Sequence, residues 1–149
     1  MGSTAGFEIG MPRLWQQSVS GKSAFLTEPV SNFHLVVSLA SWTYAAPLTQ
    51  AQYLQRTYAK AEPGYRLLTL GSIGFKSIGG YEAAPAAELK FRWTKPVLGA
   101  VTELVVVVSL PTKSGVQPYT FTLWAPSATF ALANGTFHTA MTTFRPLPS

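Results

Sequence analysis

Two histidines are the side chains of this sequence best suited to acid–base chemistry, because the chain has no cysteine and no aspartate. A hydrolytic triad needs a nucleophile, a base and an orienting carboxylate within reach of one another. His34 falls in the strand-like run "FHLVVSLA", on the side opposite to Phe33 and Leu35. His138 follows Phe137 in a helix-like run, and no G-x-S-x-G motif presents a serine nucleophile. We therefore predict no catalytic residues and interpret both histidines as surface or hydrogen-bonded residues.

Metal and phosphate motifs are missing as well. Transition-metal and calcium sites gather several His, Cys, Asp or Glu ligands, which two isolated histidines do not provide. The glycine-rich segment "GSIGFKSIGG" lacks the G-x-x-x-x-G-K-[ST] pattern of a phosphate loop. Glu82 and Glu88 could share a face near a turn and act as paired carboxylates. Glu88 alternates with Lys90 and Arg92, however, which favours a surface ion pair. The sequence predicts no metal ion and no cofactor.

Aromatic residues are the remaining candidates for recognition. They are enriched in ligand pockets and in protein interfaces, and they are also ordinary core residues. The segment "SLASWTYAAPLTQ" places Trp42 and Tyr44 in a connector, a kind of segment that is usually polar. If the alternation of side chains along the preceding strand continues from Phe33, both side chains point away from the core face. We predict a binding site formed by Trp42, Tyr44, Tyr65 and Trp93, with packing in the core as the alternative.

Composition limits the classes of partner. The 149 residues are 47% hydrophobic and only 11% charged, with a net charge of +5. The basic residues are scattered, so no nucleic-acid-binding arm is expected. Lys90 and Arg92 could form a small basic patch, although a solvated strand face is the simpler interpretation. The positive charge adds a general attraction to anionic membrane surfaces. No apolar run approaches the ~18 residues of a membrane span.

Alternating apolar residues predict most of the chain as strands. Strand patterns occur in "GFEIGMP", "WQQSV", "KSAFLT", "FHLVVSLA", "YRLLTLGSI", "AAELKFRWT", "VTELVVVVSL" and "YTFTLWA". Ser20-Gly21 supplies a turn, and "GFKSIGGYEAAP" is predicted to bend or turn a strand pair. The run "VTELVVVVSL" is apolar on both faces and is expected to be central in its sheet.

Two segments carry helical periodicity. In the first, Thr49 and Gln52 fit a capping box, and Leu48 and Tyr53 are placed to form a hydrophobic staple. Its predicted apolar stripe consists of Leu48, Ala51, Leu54, Tyr58 and Ala61, with Gln50 on the polar side. The second helix starts near Pro126-Ser127 and carries Phe130, Ala133, Phe137, Met141 and Phe144. Asn134-Gly135 is expected to break it into a short first turn and a longer second part.

The order of elements is strands, helix, strands, helix. Sequential strands joined by short turns favour antiparallel pairing, and amphipathic helices must bury their apolar stripes on a sheet. The sequence therefore predicts an α+β fold, with a twisted, mainly antiparallel sheet of about six to eight strands packed with two amphipathic helices.

Several segments resemble one family in their order and spacing. "GFEIGMPRLWQQSVSGKSAFLTEP", "WTYAAPLTQAQYL", "EPGYRLLTL", "AAELKFRW" and "TTFRP" resemble the successive signatures of PsbP-like domains from actinobacterial exported proteins. The chain departs from the pattern in its low charge content and in having Ala45-Ala46 where an acidic pair precedes the proline. The family includes lipoproteins and outer domains of membrane serine/threonine kinases, and related folds occur in the PsbP subunit of photosystem II and in Ran-binding Mog proteins.

The resemblance implies an α/β/α-like sandwich in an extracytoplasmic setting and carries no catalytic motif. We expect a non-enzymatic binding or sensor module that recognises a protein partner or a small envelope ligand. The alternatives are a purely structural or assembly domain and a secreted hydrolase. Residues 1–5 are interpreted as a tag remnant or a disordered start, residues 6–146 as one domain, and residues 147–149 as a tail. Missing flanking sequence would carry any export signal or membrane anchor.

Overall fold

Among the residues that the computed structural model describes, which are 7–75, 84–112, 115–141 and 143–146, the chain forms nine strands and two α-helices. The strands, in chain order, are β1 (Phe7–Glu8), β2 (Gln16–Ser20), β3 (Ser23–Glu28), β4 (Phe33–Ser38), β5 (Arg66–Phe75), β6 (Ala84–Lys95), β7 (Gly99–Thr112), β8 (Gly115–Pro126) and β9 (Arg145–Pro146). The helices are α1 (Pro47–Ala61) and α2 (Phe130–Met141), and a 3₁₀ turn, Ser127–Thr129, leads into α2. The predicted turn around "KSIGG", together with Tyr81 and Glu82, lies outside the described residues.

Seven strands form one open sheet in the order β2-β3-β4-β8-β7-β6-β5, while β1 and β9 pair with each other. Every pairing in the sheet is antiparallel. The predicted turn at Ser20-Gly21 joins β2 to β3, and Gly21 has a φ of +58°, a left-handed conformation that glycine adopts without steric cost. The predicted α+β class and the antiparallel sheet are confirmed.

Strand β7 lies inside the sheet between β6 and β8 and is covered on both faces. All side chains from Val101 to Val108 are buried, as the apolar run predicted. Leu104 and Val106 join one core cluster, and Val105 and Val107 join the other. Because neither face is open here, a polar residue within the run is also removed from water.

The two helices pack on opposite faces of the sheet, and each covers only part of its face. Helix α1 lies on β5, β6 and β7, where Ala51 packs with Leu89 and Phe91. Helix α2 lies against β8, where the Phe137 ring is 6.2 Å from that of Phe121. The sheet is therefore the middle layer between two separate apolar cores.

Helix α1 begins earlier than the capping box predicted. The helix starts at Pro47 with Ala46 as N-cap, and no side chain caps it, so the predicted cap at Thr49 is wrong. Proline at the first helical position has a favourable φ and lacks only an N–H that would have no partner there. Gln50, predicted on the polar side, is 5% exposed, because its side-chain oxygen accepts a hydrogen bond from the Tyr44 backbone N–H at 3.1 Å.

Two further details of the helices differ from the prediction. Ala61 is exposed, so the buried stripe of α1 ends at Tyr58. Helix α2 runs unbroken through Asn134 and Gly135. Glycine inside a helix costs about 1 kcal/mol, whereas burial of an aromatic side chain such as Phe137 is worth about 2 kcal/mol or more. Packing on the sheet therefore outweighs the local preference for a break.

Candidate functional site

Helix α1 leaves half of its face of the sheet uncovered. We call the α1 side of β2, β3, β4 and β8 the open sheet face. The strand register places Phe25, Val36 and Thr122 side by side across its middle row. Phe25 is 40% exposed, and Val36 and Thr122 are half-buried. This surface combines apolar side chains with many Ser and Thr hydroxyls and no helix above it.

A stack of rings and one cation borders the open sheet face at one end. The His34 and Trp124 rings lie parallel, with centroids 3.8 Å apart and planes 8° from each other. The Nζ atom of Lys95 lies 5.1 Å from the ring centre of Trp124 and 5.4 Å from that of Trp93. A cation within about 6 Å of an aromatic face is attracted by its quadrupole. Lys95 is therefore held between two indoles.

Beside this stack, on the neighbouring strand β7, lies a buried carboxyl group, that of Glu103. It is 6% exposed, and its Oε1 accepts a hydrogen bond from the indole N–H of Trp93 at 3.0 Å. Burial raises the pKa of Glu103 to about 7, although the Trp93 hydrogen bond and Lys95 act in the opposite direction. Burial also raises the pKa of Tyr58 on α1, and Glu103 adds to that effect. The carboxyl group thus titrates near neutral pH inside the fold.

His34 is the titratable ring of this cluster. Burial lowers its pKa, and the positive charge of Lys95 lowers it further. Its Nε2 atom is buried and has no hydrogen-bond partner among the described residues. The predicted orientation, opposite to Phe33 and Leu35, is confirmed by the burial of those two side chains. The ring stays neutral at neutral pH and packs as an aromatic residue.

At the other end of the open sheet face lies the connector between β4 and α1. The indole N–H of Trp42 donates to Thr120 Oγ1 at 3.0 Å, and Trp42 packs against the α1 core. Tyr44 is 41% exposed, and its ring meets that of Tyr53 edge-on at 5.6 Å. Together with Val116, both connector aromatics line a small pocket of about 240 Å³.

The four aromatic residues predicted as a site thus fall at two places. Trp42 and Tyr44 line the small pocket near the start of α1. Tyr65 packs on Phe91 at 5.0 Å beyond the end of α1, and Trp93 belongs to the same core cluster. The combined site of four residues stays a prediction; Tyr44 is exposed, and the other three are half-buried.

Glu103 was not among the site residues predicted from the sequence. The signal was present, because a charged residue in "VTELVVVV" interrupts a run that is predicted to be buried on both faces. Period two also carries Glu103 onto the side of Val105 and Val107, under α1. A buried carboxyl in such a run is a candidate for a perturbed pKa.

Other features of the described residues bear on chemistry. A groove of about 620 Å³ lies between α2 and the segment after β1, where Met11, Leu132 and Thr139 contribute to its walls. Among the described residues, no three His, Cys, Asp or Glu side chains come together as a metal site. In the same part of the chain, neither helix has the length and apolar character needed to cross a membrane.

An open antiparallel sheet with one helix on each face defines an α+β protein, whose described surface includes an open sheet face and a groove beside α2. Comparison with protein families then gives a specific assignment. The chain belongs to the serine/threonine kinase C-terminal domain family, whose model it matches over residues 2–146. This agrees with the kinase-associated setting that the PsbP-like resemblance implied, while the PsbP-like assignment itself stays a prediction.

Comparison with solved structures supports the fold. LpqN of Mycobacterium tuberculosis is described as involved in cell envelope biogenesis. Its crystal structure superposes on this chain with a TM-score of 0.69 at 14% sequence identity. The match covers 95% of this chain and 83% of LpqN. At this identity the likeness concerns the fold alone. No curated protein matches the chain.

Proposed function

We propose that this domain is a non-catalytic, extracytoplasmic binding module that recognises a protein partner at the open sheet face. Membership in a kinase C-terminal domain family supports a role beside a catalytic domain. The fold shared with an envelope-biogenesis protein supports a location outside the cytoplasm. The observation that carries the proposal is the half-covered sheet, since α1 packs on β5, β6 and β7 and leaves four strands open on the same face.

The composition of this face favours a protein partner. The strand register brings no Asp, Glu, Lys or Arg onto the α1 side of β2, β3, β4 and β8 among the described residues. Charge depletion combined with aromatic side chains is typical of the centre of a protein interface. Phe25 at the centre and Trp42 at the edge are suited to the role of hot-spot residues, because large aromatics carry much of the energy at interfaces.

Cavity size points in the same direction. Small-molecule sites are clefts of about 300–1,000 Å³, whereas the pocket beside Trp42 and Tyr44 measures about 240 Å³. A pocket of this size fits one side chain of a partner. Strand β2 adds a second element at the edge of the sheet, because its five residues are all exposed and none is charged. Such an edge is a template for pairing with a strand of another chain.

Site-specific photo-crosslinking in cells tests this proposal. A photoreactive residue replaces Phe25 on the open sheet face or, as control, Val30, which is 89% exposed in the turn between β3 and β4. The expected result is one discrete protein adduct from position 25 that is lost when Thr122→Glu places a charge in the same row, on the other side of Val36, with the melting temperature kept. Adducts from neither position would mean that the domain has a purely structural or assembly role. An adduct that survives Thr122→Glu would remove the open sheet face as the binding surface.

A second candidate is recognition of a small apolar envelope ligand in the groove between α2 and the segment after β1. Its volume of about 620 Å³ lies within the range of small-molecule sites. Ala131 is exposed at this groove, so Ala131→Trp would fill the groove while leaving the core intact. Native mass spectrometry of the protein purified from envelope fractions should then show a bound small molecule in the parent and none in the variant. A mass without ligand in both would argue against this candidate.

A further inference from the structure

A second pocket, which we call the basic pocket, lies on the α2 side of the sheet beside the start of α2. Its volume is about 260 Å³. It is lined by Leu68, Lys90, Arg92, Thr102, Ser127, Phe130, Ala131 and Asn134. The Nζ atom of Lys90 lies 5.4 Å from the centre of the Phe130 ring at the start of α2, and Arg92 is exposed beside it. The pocket therefore joins charged residues of a strand to the beginning of a helix.

Two cationic residues line this pocket, and a third lies on the neighbouring strand. Lys90 and Arg92 lie two residues apart on β6 and so share one face, and Arg66 on β5 is the Cα partner of Arg92. Like charges directly opposite each other destabilise a sheet. Glu88 lies on the same face of β6 but does not line the pocket. An anion bound between these side chains would relieve the repulsion.

Neutral hydrogen-bonding groups complete the basic pocket. The hydroxyls of Thr102 and Ser127 are 2.9 Å apart, and Ser127 opens the 3₁₀ turn that leads into α2. The first turn of a helix presents N–H groups without intrahelical partners. Asn134 Oδ1 is buried and has no hydrogen-bond partner among the described residues. This atom accepts hydrogen bonds, so it would suit a hydroxyl or a protonated oxygen of the ligand.

From this arrangement we propose that the basic pocket binds a phosphate group, carried by a lipid headgroup or by a free phosphate ester. Arg92 supplies a planar fork that pairs with two phosphate oxygens, and Lys90 supplies a point charge. Ser127 donates its hydroxyl to a third oxygen. The volume of about 260 Å³ lies below the range of about 300–1,000 Å³ that is typical of drug-sized ligands, so the pocket has room for a phosphate with a small polar substituent and not for a whole lipid. This site lies on the other side of the sheet from the open sheet face and goes beyond the proposed function.

Calorimetric titration with inorganic phosphate and with glycerol 3-phosphate tests the pocket directly. We expect both to bind, and glycerol 3-phosphate to bind more tightly because its hydroxyls reach Asn134. The variant carrying Lys90→Gln and Arg92→Gln should bind about tenfold more weakly or not at all, because it loses two charge-assisted contacts. The matched control carries Arg56→Gln and Lys60→Gln on the exposed side of α1 and loses the same charge.

The outcomes separate the proposal from general charge attraction. Retained affinity in the control with loss in the Lys90 and Arg92 variant would support the pocket. Equal loss in both variants, or no binding of either probe, would overturn it. If the double variant does not fold, Arg92→Gln alone, at an exposed position, should still weaken binding. Flotation with vesicles of phosphatidylcholine, with and without phosphatidylglycerol, then distinguishes a lipid headgroup from a free phosphate ester. Binding to the anionic vesicles that depends on Lys90 identifies a headgroup site. Absence of such binding identifies a site for a soluble ester.

Discussion

The buried carboxyl group of Glu103 makes the stability of this fold depend on pH in a defined direction. Burial raises its pKa from an ordinary value of 4.5 to about 7. The folded protein therefore holds this proton more tightly than the unfolded chain does. Between about pH 4.5 and pH 7 the folded state binds more protons, so the free energy of unfolding falls as the pH rises. Above about pH 7 this contribution levels off, because both states have lost the proton.

The magnitude follows from the same values. One pKa unit corresponds to about 1.4 kcal/mol, so the raised pKa costs the folded state about 3 kcal/mol at pH 8 relative to the protonated form. Glu103→Gln keeps an oxygen that accepts the Trp93 indole N–H, and it cannot ionise. The variant should be more stable than the parent by about 1 kcal/mol near pH 5, where the unfolded chain is already partly ionised, and by about 3 kcal/mol near pH 8.

Urea unfolding of both proteins at about pH 5, 6, 7 and 8 measures this difference. Glu88→Gln on the other side of the sheet is the matched control and should keep the difference that the parent shows between pH 5 and pH 8. His34 contributes equally to the parent and to Glu103→Gln, so the comparison removes its effect. Parallel curves for the parent and Glu103→Gln would refute the reasoning, because they would mean that the carboxyl group does not titrate in this range.

Three further changes probe other parts of the fold. Leu54→Ala should lower the free energy of unfolding by about 2 kcal/mol because it opens the α1 core, and a loss under about half of one kcal/mol in urea unfolding would contradict the packing of that helix. In thermal melts, Gly64→Ala should lower the free energy of unfolding by about 1 kcal/mol or more, since Gly64 has a φ of +66° and a Cβ there would lie 2.9 Å from Thr94 Oγ1. Gly21→Ala, at a φ of +58° with open space around it, should lower it by less. The pKa of His34 is lowered in the folded state, so the unfolded chain takes up its proton first and the contribution of His34 to stability falls as the pH drops below about 6.5, opposite in sign to that of Glu103. In the Glu103→Gln background, His34→Phe should remove this fall in denaturant titrations and keep the stacked ring, and an unchanged fall would place its origin elsewhere.

The strands were predictable because their side chains alternate between two environments. Phe33, Leu35 and Val37 are buried while His34 and Val36 are not, as period two requires. Such patterns record burial directly, so the strand faces and the α+β class followed from sequence.

Helix ends were less predictable, because several local signals compete there. The capping box predicted the start of α1 at Thr49, whereas the helix begins at Pro47, a residue that is favourable at the first helical position. In the same way, Asn134-Gly135 has a local preference for a break that burial of neighbouring residues overrides.

The candidate site was only partly predictable, because it depends on which strands become neighbours. The connector aromatics Trp42 and Tyr44 could be named from their position in the sequence. That His34, Trp124 and Glu103 meet follows from the order β4-β8-β7, which joins segments far apart in the chain. Strand order is decided by the global packing of the sheet, and no local pattern records it.

The offset of the two helices has a consequence for how the domain can be used. Helix α1 covers β5, β6 and β7 on one side of the sheet, and α2 covers β8 on the other. The uncovered areas therefore lie diagonally opposite, with the open sheet face on one side and the basic pocket on the other. Two occupants bound at these places would be separated by the whole thickness of the sheet and would not compete for space. Under the two proposals, the domain would hold a protein on one side of the sheet and a phosphate group on the other.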